Sequence, residues 1–468
     1  MSIVAIEEHK TQTVTATMAD WAAGLRFEDL SADAIYQAKR FFLDSVGCAL
    51  GGYQQPEVNI ALKVLNEIAG PGKATLIGSG KQIDPVSAAF ANALMIRCMD
   101  YNDIYWKQDP CHPSDIFPAA IAACERAGSD GRELIVGLVL GHEFEMRFCE
   151  AAFPGIRERG WHHATLTSFV SPLVAGRMLH LSPHQLQHAI GISASARATL
   201  GAVTAGKLTM MKNTVDPLAT QSGMLAALMA EQGYTGPEHV IDGKEGLTHC
   251  LGPEWKVNIL TEGLGDSWRI SQCGMKAFPT EALTHTPISA VLALIKQHDL
   301  TPAQIAEVRV RTTARGADIL SDASKYDPHT KETADHSLPY VLAAAIAERQ
   351  VTPRQFAPEK ISDPLIRAQL KKIVVTADPE IERLFPALQR VIVSIQTTDG
   401  REFTEQLDYP KGDCRNPLTD AEIEEKFEAL AAPAMPHSAR RRAIEAIWKL
   451  DDQPSVSGLM TLFKANRS

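Results

Sequence analysis

Ser31-Ala32-Asp33-Ala34-Ile35-Tyr36-Gln37-Ala38-Lys39-Arg40-Phe41-Phe42-Leu43-Asp44-Ser45-Val46-Gly47-Cys48-Ala49-Leu50-Gly51-Gly52 is the stretch from which the rest of the chain can be read. Its apolar positions Ile35, Ala38, Phe41, Phe42, Val46 and Leu50 recur at helical spacing. Ser31 offers an N-cap side chain and Gly51-Gly52 a stop, so the segment is an amphipathic helix with both end signals. The same period recurs around residues 57–69, 83–98, 116–127, 131–150, 165–180, 183–199 and 214–232. The first ~260 residues therefore read as mostly helical on periodicity. Small residues on the apolar faces, such as Ala119-Ala120, Ala122-Ala123 and Ala226-Ala227, allow close approach of helix axes and predict a compact all-helical domain.

From about residue 265 the texture changes. Trp268-Arg269-Ile270, Glu307 to Thr312, Lys372 to Val375 and Arg390 to Ile395 are short alternating or β-branched runs that read as strands. Helical patterns at about 286–298, 338–348 and 363–371 separate them, and Thr397-Thr398-Asp399-Gly400 is a hairpin turn signal. After Pro410-Lys411-Gly412 the helical pattern returns, with Thr419-Asp420-Ala421-Glu422 as a start that can pack back on the first domain. The expected fold is mainly α with an α+β second domain: residues 1–265 and 410–468 form a large helical domain, and residues 266–409 a smaller α+β domain.

At 468 residues the chain exceeds one ordinary core, and a hydrophobic fraction of 45% is ample for two. A net charge of −10 argues against nucleic acid or an anionic membrane as partner. The 8 cysteines contain no C-x-x-C pair and no spacing suited to zinc or an iron–sulfur cluster, so no metal centre is expected. They read as scattered thiols in a reducing compartment. The N-terminal residues MSIVAIEEHKTQTV lack the basic flank and apolar run of a signal peptide, and no segment offers 18 uninterrupted apolar residues. The expectation is a soluble cytoplasmic protein.

Chemistry is concentrated beyond the apolar run Pro85 to Cys98. Asp100, Asp103 and Asp115 fall with His112 inside the short stretch Met99 to Asp115, and carboxylates beside a low-dielectric wall have shifted proton affinities. Further on, His162-His163 precedes a helical pattern, and Lys212 stands among apolar residues at a helix start, where a snorkelling surface lysine is the alternative. Lys276 and Glu281 lie at the expected domain boundary, where clefts concentrate, although a plain linker would look similar. In Asp335-His336-Ser337, Asp335 or Ser337 could simply cap the next helix. Taken together, lysines and histidines near acids suit a small polycarboxylate, held by cations while an acid or imidazole moves a proton.

Seven segments resemble, in order, the MmgE/PrpD family: Phe41 to Cys48, Asp100 to Asp103 with His112 to Asp115, Gly160-Trp161-His162, Lys212 through Gly233 to Pro237, Lys276-x-Phe278-Pro279-x-Glu281, Glu332 to Tyr340, and Tyr409 to Gly412. The resemblance implies a large helical domain built from both chain ends, a smaller α+β lid inserted between them, and a homodimer. It implies cofactor-free chemistry on the carbon next to a carboxylate: 2-methylcitrate dehydration, cis-aconitate decarboxylation or iminodisuccinate epimerisation. A binder that has kept the fold without activity is the alternative of another class.

By similarity, Asp100, His112, His162, Lys212 and Lys276 match active-site positions of the decarboxylase branch. Asn102, His163, Tyr326 and His336 are taken as substrate contacts, Tyr326 across a gap in the match. Glu281, where the decarboxylases carry His, and Ile104, where they tend to carry Thr, lean toward the dehydratase branch. The expected activity is dehydration of a hydroxy-polycarboxylate such as 2-methylcitrate. Lys276 and Lys212 would stabilise the enediolate, one of Glu281, Asp100 or His162 would be the base, and His112 the acid.

Overall fold

In the computed structural model, which describes residues 12–205, 208–251 and 254–465, Ala32–Gly52 is a single helix. Ser31 caps it by accepting from the Ala34 N–H at 3.1 Å. Seven helices follow the remaining periods closely: Pro56–Ile68, Pro85–Arg97, Phe117–Ala127, Gly131–Ala151, Ala164–Met178, Pro183–Ala196 and Val215–Glu231. They pack on one another and on Ala32–Gly52 around a common core. Close approach has a sequence cause at Gly223, where a Cβ would stand 2.1 Å from Ser171 Oγ on the facing helix.

The C-terminal helix Asp420–Ala431 starts with the expected box, Thr419 and Glu422 bonding each other's backbone. It packs on Ala32–Gly52, and Ile423, Phe427 and Leu430 join the same core as the N-terminal helices.

A second core lies under a four-stranded sheet ordered Ile373–Ala377, Ile305–Thr312, Val391–Thr397, Glu402–Leu407. The first pair is parallel and the other two are antiparallel. Along Val391–Thr397 alternate residues are buried, so Val391, Val393 and Ile395 face helices His285–His298 and Leu338–Glu348 in one cluster. The hairpin turn forms where expected, with Gly400 at φ +90°.

Two local expectations fail. Trp268-Arg269-Ile270 is no strand: Arg269–Gln272 is a 3-10 turn, because the Arg269 guanidinium is drawn to Glu143 and Glu150 at 3.0 Å each. Conversely, the acidic turn at Asp100 runs directly into a strand, Asp103–Trp106, which pairs with Pro110–Cys111 on one side and Gly274–Met275 on the other. The second pairing joins residues ~170 apart and leaves no local periodic trace.

Among the described residues no helix is long and apolar enough to cross a membrane. Residues 1–11 of the N-terminal segment considered for targeting lie outside the described residues.

Candidate active site

The site is organised by how the helix Pro85–Arg97 ends. Asp100 takes a left-handed backbone, φ +51°, which an Asp tolerates better than most side chains. This turns its carboxylate back beside Arg97. The pairing of Asp103 with Met275 and Ile104 with Gly274 then sets Lys276 alongside. The register is supported from behind, since Met275 N–H donates at 2.9 Å to the carbonyl of Gly412, whose φ of +96° only glycine holds cheaply. A Cβ at Gly412 would also stand 1.9 Å from the Met275 carbonyl oxygen.

Three cations converge on the Asp100 carboxylate. Lys276 Nζ lies 2.9 Å from Oδ1, Lys212 Nζ 3.0 Å from Oδ2, and Arg97 also pairs with Oδ1. Lys276 spends its remaining hydrogens on the carbonyls of Asp100 at 3.1 Å and Thr280 at 3.0 Å. The Arg97 Nε faces Asp115 at 3.4 Å and Asp216 at 3.9 Å. All six side chains are buried.

The electrostatics follow from burial against pairing. Burial alone would raise the Asp100 pKa, but Lys212, Lys276 and Arg97 together hold it well below the carboxylate range. Burial pushes Lys212 down to about 8, since Asp100 is shared with Arg97 and Lys276. Burial lowers Lys276 as well, against the pull of Asp100. At Arg97 burial is outweighed by Asp100, Asp115 and Asp216, which raise it.

The histidines are of two kinds. His112 lines the same cavity as Asp100, Lys212 and Lys276. Its Nδ1 lies 2.6 Å from the Asp103 carbonyl oxygen, which can only accept, so the proton sits on Nδ1 and Nε2 keeps a lone pair. Burial, with Arg97 and Lys276 nearby, holds its pKa well below the imidazole range. His162 and His163 stack at 3.9 Å behind it, and neither lines the cavity. His162 Nδ1 accepts from the Ala164 N–H at 3.2 Å, and His163 Nε2 stands 3.4 Å from Asp216 and its ring 5.4 Å from that of His112.

Of the expected substrate contacts, only His336 lines the cavity. Its Nδ1 is 2.5 Å from Asp335 Oδ1. Asn102 is fully buried behind the site, and its amide hydrogens go to Ser114 Oγ at 2.9 Å and Asp115 Oδ1 at 3.0 Å. Tyr326 closes a 3-10 turn and borders the Val375 backbone instead of the cationic cluster. Glu281 is on the cavity wall, but its Oε2 accepts from the Leu283 N–H at 2.7 Å as the cap of the next turn. Ser337 caps the helix Leu338–Glu348, leaving Asp335 to His336 and to Lys331 at 3.5 Å.

Several site residues carry little signal in the sequence. Arg97 sits inside an apolar helix, and its one clue is that a lone arginine there is costly unless several acids meet it. Asp216 and the cavity-wall arginines Arg157 and Arg315 carry no local motif. Lys426, from the C-terminal helix, reaches Asp44 Oδ1 at 2.6 Å and the carbonyls of Tyr101 at 2.7 Å and Lys276 at 2.9 Å. It also lies 3.8 Å from the centre of the Tyr101 ring. One buried ammonium therefore ties the backbone after Asp100 to that of Lys276.

Among the described residues, Asp103, His142 and Cys273, and likewise His162, His163 and Asp216, bring ligand-type atoms within 4.8 Å of one another. In both, the acids already serve the site: Asp103 binds Ser114 and Asp216 faces His163 and Arg97.

The chain matches the model of the MmgE/PrpD N-terminal domain over residues 16–260 and that of the MmgE/PrpD C-terminal domain over residues 278–452. It is 25% identical to a cis-aconitate decarboxylase of Aspergillus terreus, covering 96% of this chain and 95% of that one. It is 26% identical to the cis-aconitate decarboxylase of Mus musculus, over 97% and 94%. To a 2-methylcitrate dehydratase of Salmonella typhimurium it is 24% identical, over 90% and 91%.

Proposed function

Because the chain belongs to the MmgE/PrpD family, we propose that it is a cofactor-free lyase that dehydrates a small hydroxy-polycarboxylate such as 2-methylcitrate. The observation that carries this reading is the buried set of Lys212, Lys276 and Arg97 around one carboxylate, with the free nitrogen of His112 on the same cavity. In this reading residues 266–409 form a lid over the helical body made by residues 1–265 and 410–468, and the protein works as a cytoplasmic homodimer.

Removing a proton next to a carboxylate builds a dianionic enediolate, which needs positive charge already in place. Lys212 and Lys276 supply it, and Asp100 holds both at hydrogen-bond distance so that neither has to reorganise. The base is His112 Nε2, since its tautomer and lowered pKa keep it unprotonated at neutral pH. In this reading His112 takes the base role in place of the acid role expected from sequence, and none of the three expected bases keeps that role. Asp100 is too well paired to accept a proton, His162 is set behind the cavity wall, and Glu281 is engaged in a cap. Lys212, with a pKa near 8, is the acid that protonates the departing hydroxide.

This assignment fixes the pH dependence. Lys212 must carry its proton, so kcat/KM should fall as pH rises through about 8. His112 must lack its proton, so the acid limb should begin only well below the usual imidazole range. Lys212→Arg should remove or raise the alkaline limb while leaving the acid limb in place. Identical profiles would rule out Lys212 as the acid.

Decarboxylation of a substrate like cis-aconitate is the second reading, favoured by the near full-length match to cis-aconitate decarboxylases. Glu281 in place of His supports dehydration. Proton NMR of chelator-treated protein with 2-methylcitrate, cis-aconitate and iminodisuccinate separates the readings. The expected product is 2-methylaconitate; itaconate from cis-aconitate, or epimerised iminodisuccinate, would replace dehydration by that activity.

A further inference from the structure

The inner cations are largely committed before any substrate arrives. Lys212, Lys276 and Arg97 meet Asp100, and Arg97 also faces Asp115 and Asp216. Their residual positive charge suits the one carboxylate whose neighbouring carbon reacts. A second or third carboxylate must be met elsewhere.

The same cavity is also lined by Arg157 and Arg315. Arg315 is neutralised by Glu158 at 2.7 Å. Arg157 is different: among the described residues its guanidinium has no ion pair and no hydrogen-bond partner, and it lies 5.7 Å from the centre of the Trp106 ring. The surrounding acids are spoken for. Glu281 caps through the Leu283 N–H, Glu158 holds Arg315, and Asp109 accepts from the Ile156 and Arg157 N–H groups. Burial lowers the Arg157 pKa and Arg315 lowers it further, with Glu281 and Asp109 opposing. An arginine kept beside another arginine without a counter-ion, on the wall of a cavity, is a carboxylate fork awaiting a ligand.

We propose that Arg157 is the subsite for a carboxylate remote from the reacting carbon, so that this cavity selects tricarboxylates over dicarboxylates of the same head group. Trp106, itself fixed edge-on against Phe385 at 5.4 Å, sets the depth at which the fork sits. Ile104, Leu283 and Leu320 add apolar lining to the same cavity, which suits a short carbon skeleton carrying charged ends. The inference rests on the polycarboxylate reading given above.

Non-reacting probes test it by calorimetry: propane-1,2,3-tricarboxylate, and succinate, which lacks the third carboxylate. The wild-type protein should bind the triacid more tightly than the diacid. Arg157→Ala should weaken the triacid about 10- to 100-fold, the usual worth of one charge-assisted contact, and change succinate binding less than about twofold. Arg157→Lys, charged but without the planar fork, should fall between. Equal weakening of both probes in Arg157→Ala, or no weakening of either, would overturn the subsite while leaving the polycarboxylate reading intact. Absence of binding of both probes to wild-type protein would sink the reading and the subsite together.

Discussion

The inner and outer walls of one cavity are built on opposite principles. On the inner wall Asp100, Arg97, Lys212 and Lys276 are buried, mutually paired and held by backbone carbonyls. On the outer wall Arg157, Arg315, Glu281 and His336 are partly exposed, come from separate segments and leave one cation without a partner among the described residues. Preorganised charge suits the step in which charge develops, and an open fork suits selection of what enters. The difference teaches that an acidic protein can concentrate positive potential in one cleft by burying its counter-ions behind it.

The largest effect should come from the group all three cations share. Asp100→Asn leaves two ammoniums and a guanidinium buried with less compensation; it should remove turnover and cost ~3–5 kcal/mol of stability, as broken buried pairs do, checked by denaturant unfolding. Retained stability would mean that water or Asp115 and Asp216 satisfy the cations, and the contrast between walls would weaken. Next, Lys276→Ala should lower kcat by about 10²- to 10³-fold, the worth of one preorganised positive charge beside a developing oxyanion, with an unchanged circular dichroism spectrum. An active, well-folded variant would remove Lys276 from the chemistry.

Smaller still is the effect expected at Lys426, which meets Asp44, two backbone carbonyls and the Tyr101 ring but does not line the cavity. Lys426→Met should lower kcat about 10-fold through loosened placement of Asp100 and Lys276, with KM little changed and partial recovery in Lys426→Arg. A loss of stability without any change in kcat would make it a packing element alone.

How much of this was legible in the sequence depended on whether the cause was local. The helix at Ala32–Gly52, its caps and the hairpin at Gly400 follow from short-range patterns and formed as read. Asp100, His112, Lys212 and Lys276 carry recognisable neighbours, and the structure brings them to one cavity. The rest needed partners distant in the chain. The strand Asp103–Trp106 exists because Gly274–Met275 lies beside it, and Arg97 has meaning only once Asp100, Asp115 and Asp216 surround it. Asn102 and Tyr326 show the converse: they lie near the right residues in sequence, yet their side chains turn to buried carboxylates and to the four-stranded sheet.

The division of labour between the walls is tested most directly by exchange of the substrate's carbon-bound hydrogen with D₂O, followed by NMR in His112→Gln and Glu281→Gln with 2-methylcitrate. The account predicts that exchange and turnover vanish in His112→Gln, while Glu281→Gln keeps both within about tenfold of wild type, as one partly exposed polar contact warrants. Exchange that survives in His112→Gln and is lost in Glu281→Gln would place the base on the outer wall and contradict it.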